Sequence, residues 1–283
     1  MRILFIAGLS HSGSTLLTML LGAHSRICGV GEVEKLLEMR DREVLLADPV
    51  RGFCSCGERV ASCPLWSRVF PRIDEGSSYG AKYGAFVEVA AETLGETRML
   101  CDSSKDLGRL ESISQGPNRL DIAVIHVIKD VRSYAASWRA IKRFGRIGVA
   151  RCFRSWHRTN QLIERRIRQG GFPSVRVSYE ELCFDPRTTL QTACRGLGID
   201  FDEAMLDLRR SHGHVGAGNG MHTDPIKSNM LAYDFRWFSD RWISLYYHMR
   251  PDIAQYNEER VYGVLKGRYA KAKRRSVPTF LAQ

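Results

Sequence analysis

The sequence predicts an α/β fold, P-loop-like, with a parallel sheet covered by helices on both faces. Three observations carry this prediction. Ile3 to Ala7 is a short apolar run that breaks at Gly8, the pattern of a strand buried on both sides. Ile122 to Ile128 is rich in β-branched apolar residues and is the clearest strand in the chain. Helical patterns alternate with these and with shorter strand-like runs, the order of βαβ units.

In chain order, Thr15 to Leu21 is apolar and free of glycine and proline, so a helix starts just after the first glycine-rich turn. Residues 34–48 alternate charge and leucine in a helical pattern. Pro49, Gly52, Gly57, Pro64, Pro71, Gly76 and Gly80 break up the next stretch, which reads as loop. Residues 81–95 return to helix, and Met99 to Asp102 is a short strand. Beyond Ile128, Tyr134 to Lys142 is helical, and residues 149–169 form a long basic helix closed by Gly170-Gly171. Ser174 to Val177 is a strand, and 187–196 and 202–210 are helical. One domain is expected over 1–283, with a loop-rich, cysteine-containing insertion at about 40–98 and a basic tail at about 264–283.

The 42 Lys and Arg outnumber the 31 Asp and Glu, a formal net charge of +11. Such a surplus points to an anionic partner: nucleic acid, an acidic membrane, or phosphorylated or sulfated small molecules. No stretch approaches the ~20 apolar residues of a membrane span. The first apolar run is too short for a signal peptide and leads into a polar, histidine-containing turn. A soluble, cytoplasmic chain is therefore expected.

Two constellations suit phosphate. Gly8-Leu-Ser10-His11-Ser12-Gly13-Ser14-Thr15 lies between a strand and a helix. A glycine-rich turn there exposes backbone N–H groups, and the helix N-terminus adds partial positive charge. The spacing is that of a P-loop, but Ser14 stands where the lysine belongs, which argues against an ordinary ATPase or kinase. The second is Lys129-Asp-Val-Arg132, at a strand end, with Ser137 in the helix that follows. A cation and a hydroxyl so spaced converge on one anion. Alone the signal is weak; two phosphate sites in one chain are far more specific.

Together these motifs resemble the sulfotransferases that use 3′-phosphoadenosine-5′-phosphosulfate (PAPS). Gly-x-x-[basic]-Ser-Gly-[Ser/Thr]-Thr-Leu after the first strand resembles that family's 5′-phosphosulfate loop. The resemblance makes Ser10, His11, Ser12, Gly13, Ser14 and Thr15 donor-binding residues. His11 stands where the family has Arg or Lys. Protonated, it would be a cation at the bridging oxygen or the 5′-phosphate; neutral, it offers one hydrogen bond. Lys129-Asp-Val-Arg132 resembles the family's 3′-phosphate motif, which implies Lys129 and Ser137 as ligands and Arg132 as a helper. Lys129 replaces the usual Arg and loses its bidentate fork.

Further segments extend the resemblance over most of the chain. His24-Ser-Arg-Ile-Cys-Gly-Val-Gly-Glu32 is similar to a stretch of the tyrosylprotein sulfotransferases and aligns Glu32 with their catalytic glutamate, in preference to Glu34. Cys101-Asp-Ser-Ser-Lys105-Asp follows a strand, which puts Lys105 at the carboxyl edge of the sheet; a similar lysine in those enzymes contacts the transferring sulfuryl group. Val-Ser-Tyr179-Glu-Glu-Leu implies Tyr179 as a cofactor contact. Gly218-Asn219-Gly-Met-His222 resembles a cofactor loop, although Gly220 and His222 replace its usual Pro and Arg. The implied catalytic residues are Glu32, Lys105 and His11, the co-substrate is PAPS, and the product is adenosine 3′,5′-bisphosphate. The expected partners are this nucleotide donor and an acceptor hydroxyl on a glycan, a glycolipid or a small metabolite.

A P-loop small-molecule kinase and a basic nucleic-acid-binding protein are the rival readings. The first requires Mg²⁺ and ATP; the second predicts salt-steep binding through the arginines at 139–168. No metal is expected in the reaction. Cys54-Ser-Cys56-Gly and Cys63-Pro-x-Trp66 bring three thiols that suit zinc. A fourth ligand is not evident, so packing or a redox-sensitive pair is preferred to a metal.

Overall fold

The computed structural model describes residues 1–141, 148–218, 221 and 231–263. Five strands, β1 (Arg2–Gly8), β2 (Ile27–Gly31), β3 (Met99–Lys105), β4 (Asp121–Ile128) and β5 (Ser174–Ser178), form one sheet. Its order is β2-β3-β1-β4-β5, and every pairing is parallel. The helices are α1 (Ser14–Gly22), α2 (Val33–Leu37), α3 (Met39–Ala47), α4 (Trp66–Val69), α5 (Tyr79–Thr93), α6 (Leu107–Ser114) and α7 (Val131–Ala140). They continue with α8 (Val149–Gln169), α9 (Tyr179–Phe184), α10 (Pro186–Leu197), α11 (Arg241–His248) and α12 (Pro251–Val261).

The sheet is buried on both sides, as a parallel sheet requires. Alternate residues of β1 enter different cores. Ile3, Phe5 and Ala7 pack with residues of α2, α4 to α8, α11 and α12. Leu4 and Ile6 pack with α1, α9 and α10. Removing a fully buried Ile or Leu from such a core costs about 2–5 kcal/mol. The chain leaves β1 for β2 on one side, returns to β3, then crosses to β4 and β5. The order thus reverses around β1, and a crevice opens above the carboxyl ends of the strands at such a switch point.

Several stretches differ from the sequence expectation: α4 forms inside the stretch read as loop, and α6 has no counterpart among the expected helices. The helix expected over 34–48 is two helices, broken where Glu38 is extended. The second, α3, buries none of its residues, so nothing holds it in line with α2. Residues 202–210 form two 3-10 turns, because the carboxylates of Asp202 and Asp207 each cap a new turn. The edge strand β2 is not among the strands expected from the sequence. Its composition hides it: Gly31 lies at φ 74°, where a Cβ would clash with the Ala217 carbonyl oxygen. Among the described residues, no helix is long and apolar enough to cross a membrane.

Candidate active site

The loop after β1 and the start of α1 form one wall of a cleft of about 820 Å³ at the carboxyl edge of the sheet. Gly13 turns the chain into α1 at φ 92°. A Cβ at Gly13 would also lie 2.7 Å from the Tyr179 ring, so only glycine fits. Ser10, His11, Gly13, Ser14 and Thr15 line the cleft. Ser12 does not: its hydroxyl donates to the Leu9 carbonyl at 2.7 Å, and its amide donates to the same carbonyl. Its role is to hold the loop's shape.

His11 lies at φ 66°, one of two non-glycine residues described with positive φ. Its ring packs edge-on against Trp138 at 5.2 Å. Burial pushes its pKa down, and Lys129 and Lys105 push it further, against Glu32. These influences disfavour the cationic form of His11.

The other positive-φ residue is Lys105, at φ 70° on the last residue of β3. Backbone in this region costs of order 1–3 kcal/mol and persists only where its surroundings enforce it. The register between β1 and β3 shifts at this point. Just below, the buried Asp102 accepts hydrogen bonds from the Ser104 amide at 2.8 Å, the Ser104 hydroxyl at 2.6 Å and the Tyr83 hydroxyl at 3.0 Å. Burial raises the Asp102 pKa to about 6 in spite of these bonds. The Ser104 oxygen in turn accepts from the Glu34 amide at 3.1 Å, tying the end of β3 to the start of α2.

That tie brings Lys105 to Glu32. The ammonium pairs with one oxygen of the Glu32 carboxylate, and Lys35 pairs with the other. Burial works to raise the Glu32 pKa, but the two lysines outweigh it and hold the carboxyl below its ordinary value. Glu34 points elsewhere, with Arg109 Nε 3.9 Å from its carboxylate. Burial and the neighbouring carboxylates raise Glu34 to about 7. A raised pKa marks candidate bases, yet geometry decides between them, and it is Glu32 that lines the cleft.

Across the cleft, Lys129 and Ser137 do converge. The lysine Nζ donates to the Ser137 hydroxyl at 3.1 Å and to Asp234 Oδ2 at 3.3 Å. It also lies 4.5 Å above the centre of the Tyr179 ring. Ser137 donates to the same Asp234 oxygen at 3.3 Å. Arg236 adds a further bond at 2.7 Å. Burial raises the Asp234 pKa, but Arg236 and Lys129 overcome it and keep the carboxyl far below the usual range. Three donors thus already hold one anion, and it is the protein's own. Neither Asp234 nor Arg236 is foreseen from sequence, where Tyr-Asp-Phe-Arg-Trp matches no phosphate motif.

The remaining expected residues divide. Tyr179 lines the cleft, and its hydroxyl bridges the Ala232 carbonyl and the Asp234 amide. Gly218 also lines it, while Asn219 lies outside the described residues. Arg132 is not in the cleft. Its guanidinium pairs with the buried Asp130 at 2.6 Å and stacks on Trp237 and Tyr247. Asn257 and Tyr262 donate to the same Asp130 carboxylate, so Arg132 serves the packing of the C-terminal helices. The arginines of α8 at 151, 154, 158, 165, 166 and 168 are exposed on the face opposite Phe153 and Trp156 and do not line the cleft.

Fold and cleft together define an α/β protein of the nucleotide-binding kind. A sequence profile of the sulfotransferase family matches residues 4–203. The chain belongs to the sulfotransferase family and is an enzyme of that family. No curated protein matches it at a significant level. Among solved structures, it is similar to the sulfotransferase domain from the curacin biosynthetic pathway. That match has 16% identity and a TM-score of 0.54, covering 90% of this chain and 98% of that one. It supports the same fold: a five-stranded, all-parallel sheet flanked by helices. A sulfotransferase domain from the Synechococcus PCC 7002 olefin synthase matches at 20% identity and TM-score 0.47, covering 87% of this chain and 94% of that one. Sulfotransferase STF1 from Mycobacterium tuberculosis H37Rv matches at 15% identity and TM-score 0.45, covering 72% and 69% respectively.

Proposed function

We propose that the enzyme transfers a sulfuryl group from PAPS to an acceptor hydroxyl by in-line displacement at sulfur. The observation that carries this reading is the anion site of Lys129 and Ser137, facing the loop Gly8 to Thr15 across one cleft. ATP carries no 3′-phosphate for the first site; PAPS has a phosphate for each. The hydrogen bonds of Lys129 and Ser137 to the Asp234 carboxylate support their reading as donors to an anionic group such as the 3′-phosphate.

On this reading the amides of the loop and the N-terminus of α1 receive the 5′-phosphosulfate. His11 donates one hydrogen bond there. Lys105 turns from Glu32 to the sulfuryl oxygens and balances the charge that develops on them and on the departing phosphate. Its departure leaves Glu32 with less positive charge nearby and a stronger affinity for a proton. Glu32 then takes the proton of the acceptor hydroxyl as the new oxygen–sulfur bond forms and the bond to the 5′-phosphate breaks. Adenosine 3′,5′-bisphosphate leaves. The acceptor class is a glycan, a glycolipid or a small metabolite.

The test is incubation with sulfur-labelled PAPS and a panel of hydroxyl acceptors, following both labelled product and adenosine 3′,5′-bisphosphate. Metal-independent formation of the bisphosphate, slowed by about 10²–10⁴-fold in Lys105→Met, is expected. Label transfer or hydrolysis no faster than in buffer, with water included as an acceptor, contradicts the proposal.

A further inference from the structure

Far from the cleft in sequence, the cysteine-rich insertion meets a histidine. The donor atoms of Cys54, Cys56, Cys63 and His214 all lie within 4.8 Å of one another. Cys56 and Cys63 sulfurs are 3.8 Å apart, and His214 Nδ1 is 3.2 Å from Cys63 Sγ. We propose that these four residues form a closed, structural zinc site. His214 is the fourth ligand that the three cysteines lack in sequence, and it stands 151 residues beyond Cys63.

These two separations are close to those of a tetrahedral site. Zinc–sulfur bonds of about 2.3 Å at tetrahedral angles separate two sulfurs by about 3.8 Å, and a sulfur from a nitrogen by about 3.5 Å. Three thiolates and an imidazole select zinc over the hard, oxygen-seeking cations. Four protein ligands leave no open position for substrate water, which makes the site structural rather than catalytic. A disulfide would bring two sulfurs to about 2.05 Å and leave the third cysteine and the histidine unexplained. All eight cysteines are free thiols.

The backbone holds the ligands ready. Cys54 and Cys56 sit on a tight turn closed by the Phe53–Arg59 bridge, with Gly57 at φ 93°. The Cys54 amide donates to the Glu58 carbonyl at 2.8 Å, and the Gly57 amide donates back to the Cys54 carbonyl at 3.0 Å. His214 is fixed on both sides: its amide donates to the Gly29 carbonyl of β2 at 2.8 Å, and its carbonyl accepts from Trp66 Nε1 at 2.7 Å. Ser55, between two of the cysteines, donates to the Gly213 carbonyl and accepts from the Val215 amide, each at 3.0 Å. Cys56 is exposed, which gives the ion a path in, while Cys54 and Cys63 are buried.

The site has a consequence for the cleft. The segment it clamps runs on to Ala217, whose carbonyl accepts from the Glu32 amide at 2.9 Å. It then reaches Gly218 in the cleft wall. Zinc would pin the insertion to the backbone that supports Glu32, so its role there is positional.

The experiment uses the full chain purified without chelator. Elemental analysis should find about one zinc per chain. Replacement by Co²⁺ should give the intense visible absorption of a tetrahedral thiolate-ligated ion, and His214→Ala and Cys56→Ser should lose or weaken it. Cys56 is the exposed ligand, so its serine variant tests the site where a buried change would disturb packing. Less than about a tenth of a zinc per chain after exposure to Zn²⁺ under reducing conditions overturns the proposal. So does a cobalt spectrum unchanged in both variants. A non-reducible block of all three cysteines by alkylation at equal rates with and without Zn²⁺ would overturn it as well.

Discussion

Lys105 and Glu32 form an ion pair over the cleft although 73 residues separate them. Each stands at the carboxyl end of its own strand, Lys105 as the last residue of β3 and Glu32 just after β2. These strands are neighbours in the sheet. The hydrogen bond from the Glu34 amide to Ser104 fixes the height of one end against the other. A charge pair with only 13% and 9% of its side chains exposed is strongly positioned but adds little net stability, since burial offsets most of the attraction.

If this pair performs the transfer, changing either residue should cost turnover and spare binding. Glu32→Gln and Lys105→Met are each expected to lower kcat by about 10²–10⁴-fold. The dissociation constant for adenosine 3′,5′-bisphosphate should stay within about threefold. Single-turnover rates and calorimetry on the same samples check both halves.

On the proposed mechanism the pair also sets the acid limb of the rate profile. Glu32 acts as a base only when ionised, so the rate falls as pH drops through its pKa. Burial raises that pKa while Lys105 and Lys35 lower it more, which places the limb of the free enzyme below the ordinary carboxylate value near 4.5. In Lys105→Met the largest lowering influence is gone and the limb moves to higher pH. The kcat/KM profile of wild type and variant measures the shift; a limb that stays in place or moves down would assign the base elsewhere.

On the proposed reading, Asp234, which is bonded to Lys129 and Ser137, competes with the donor for them. Asp234→Asn removes a like charge from the site and should tighten adenosine 3′,5′-bisphosphate by roughly fivefold, or about 1 kcal/mol. The free protein should melt lower, because Lys129 is then buried without its counter-charge. Weaker nucleotide binding in this variant would mean that the carboxylate is part of the binding site rather than its occupant.

His126 supplies a test of the fold itself. It is buried in β4 and bonded to Asn160 at 3.0 Å. Burial lowers its pKa from near 6.5 to about 4, with small additions from Arg176 and Arg260, against the Asn160 bond. Between those pH values the unfolded chain holds a proton that the folded chain refuses. The stabilisation is therefore complete above about pH 6.5 and is lost as pH falls toward 4. Urea midpoints of His126→Gln should fall less steeply than wild type across this window.

The sheet is legible in the sequence where its strands are long and apolar. Ile3 to Ala7 and Ile122 to Ile128 declare themselves because parallel strands bury both faces. β2 does not, since Ile27–Gly31 carries two glycines that exist for close backbone approach rather than for strand propensity. In the site, the loop at Gly8 and the pair Lys129 and Ser137 are local motifs and can be read directly. Ser12 and Arg132 carry motif positions, yet their polar groups are turned to the loop carbonyl and to Asp130. Asp234, Arg236 and His214 belong to no local pattern. They reach the cleft or the cysteines only through tertiary packing, which spacing along the chain does not report.

The most direct test of the central claim is calorimetric titration of the donor-free protein with adenosine 3′,5′-bisphosphate, AMP and ATP, each with and without Mg²⁺. Binding of the bisphosphate at least about tenfold tighter than AMP, with that preference lost in Lys129→Met, is the predicted result. Equal binding of bisphosphate and AMP, or tight ATP binding that appears only with Mg²⁺, would contradict the account.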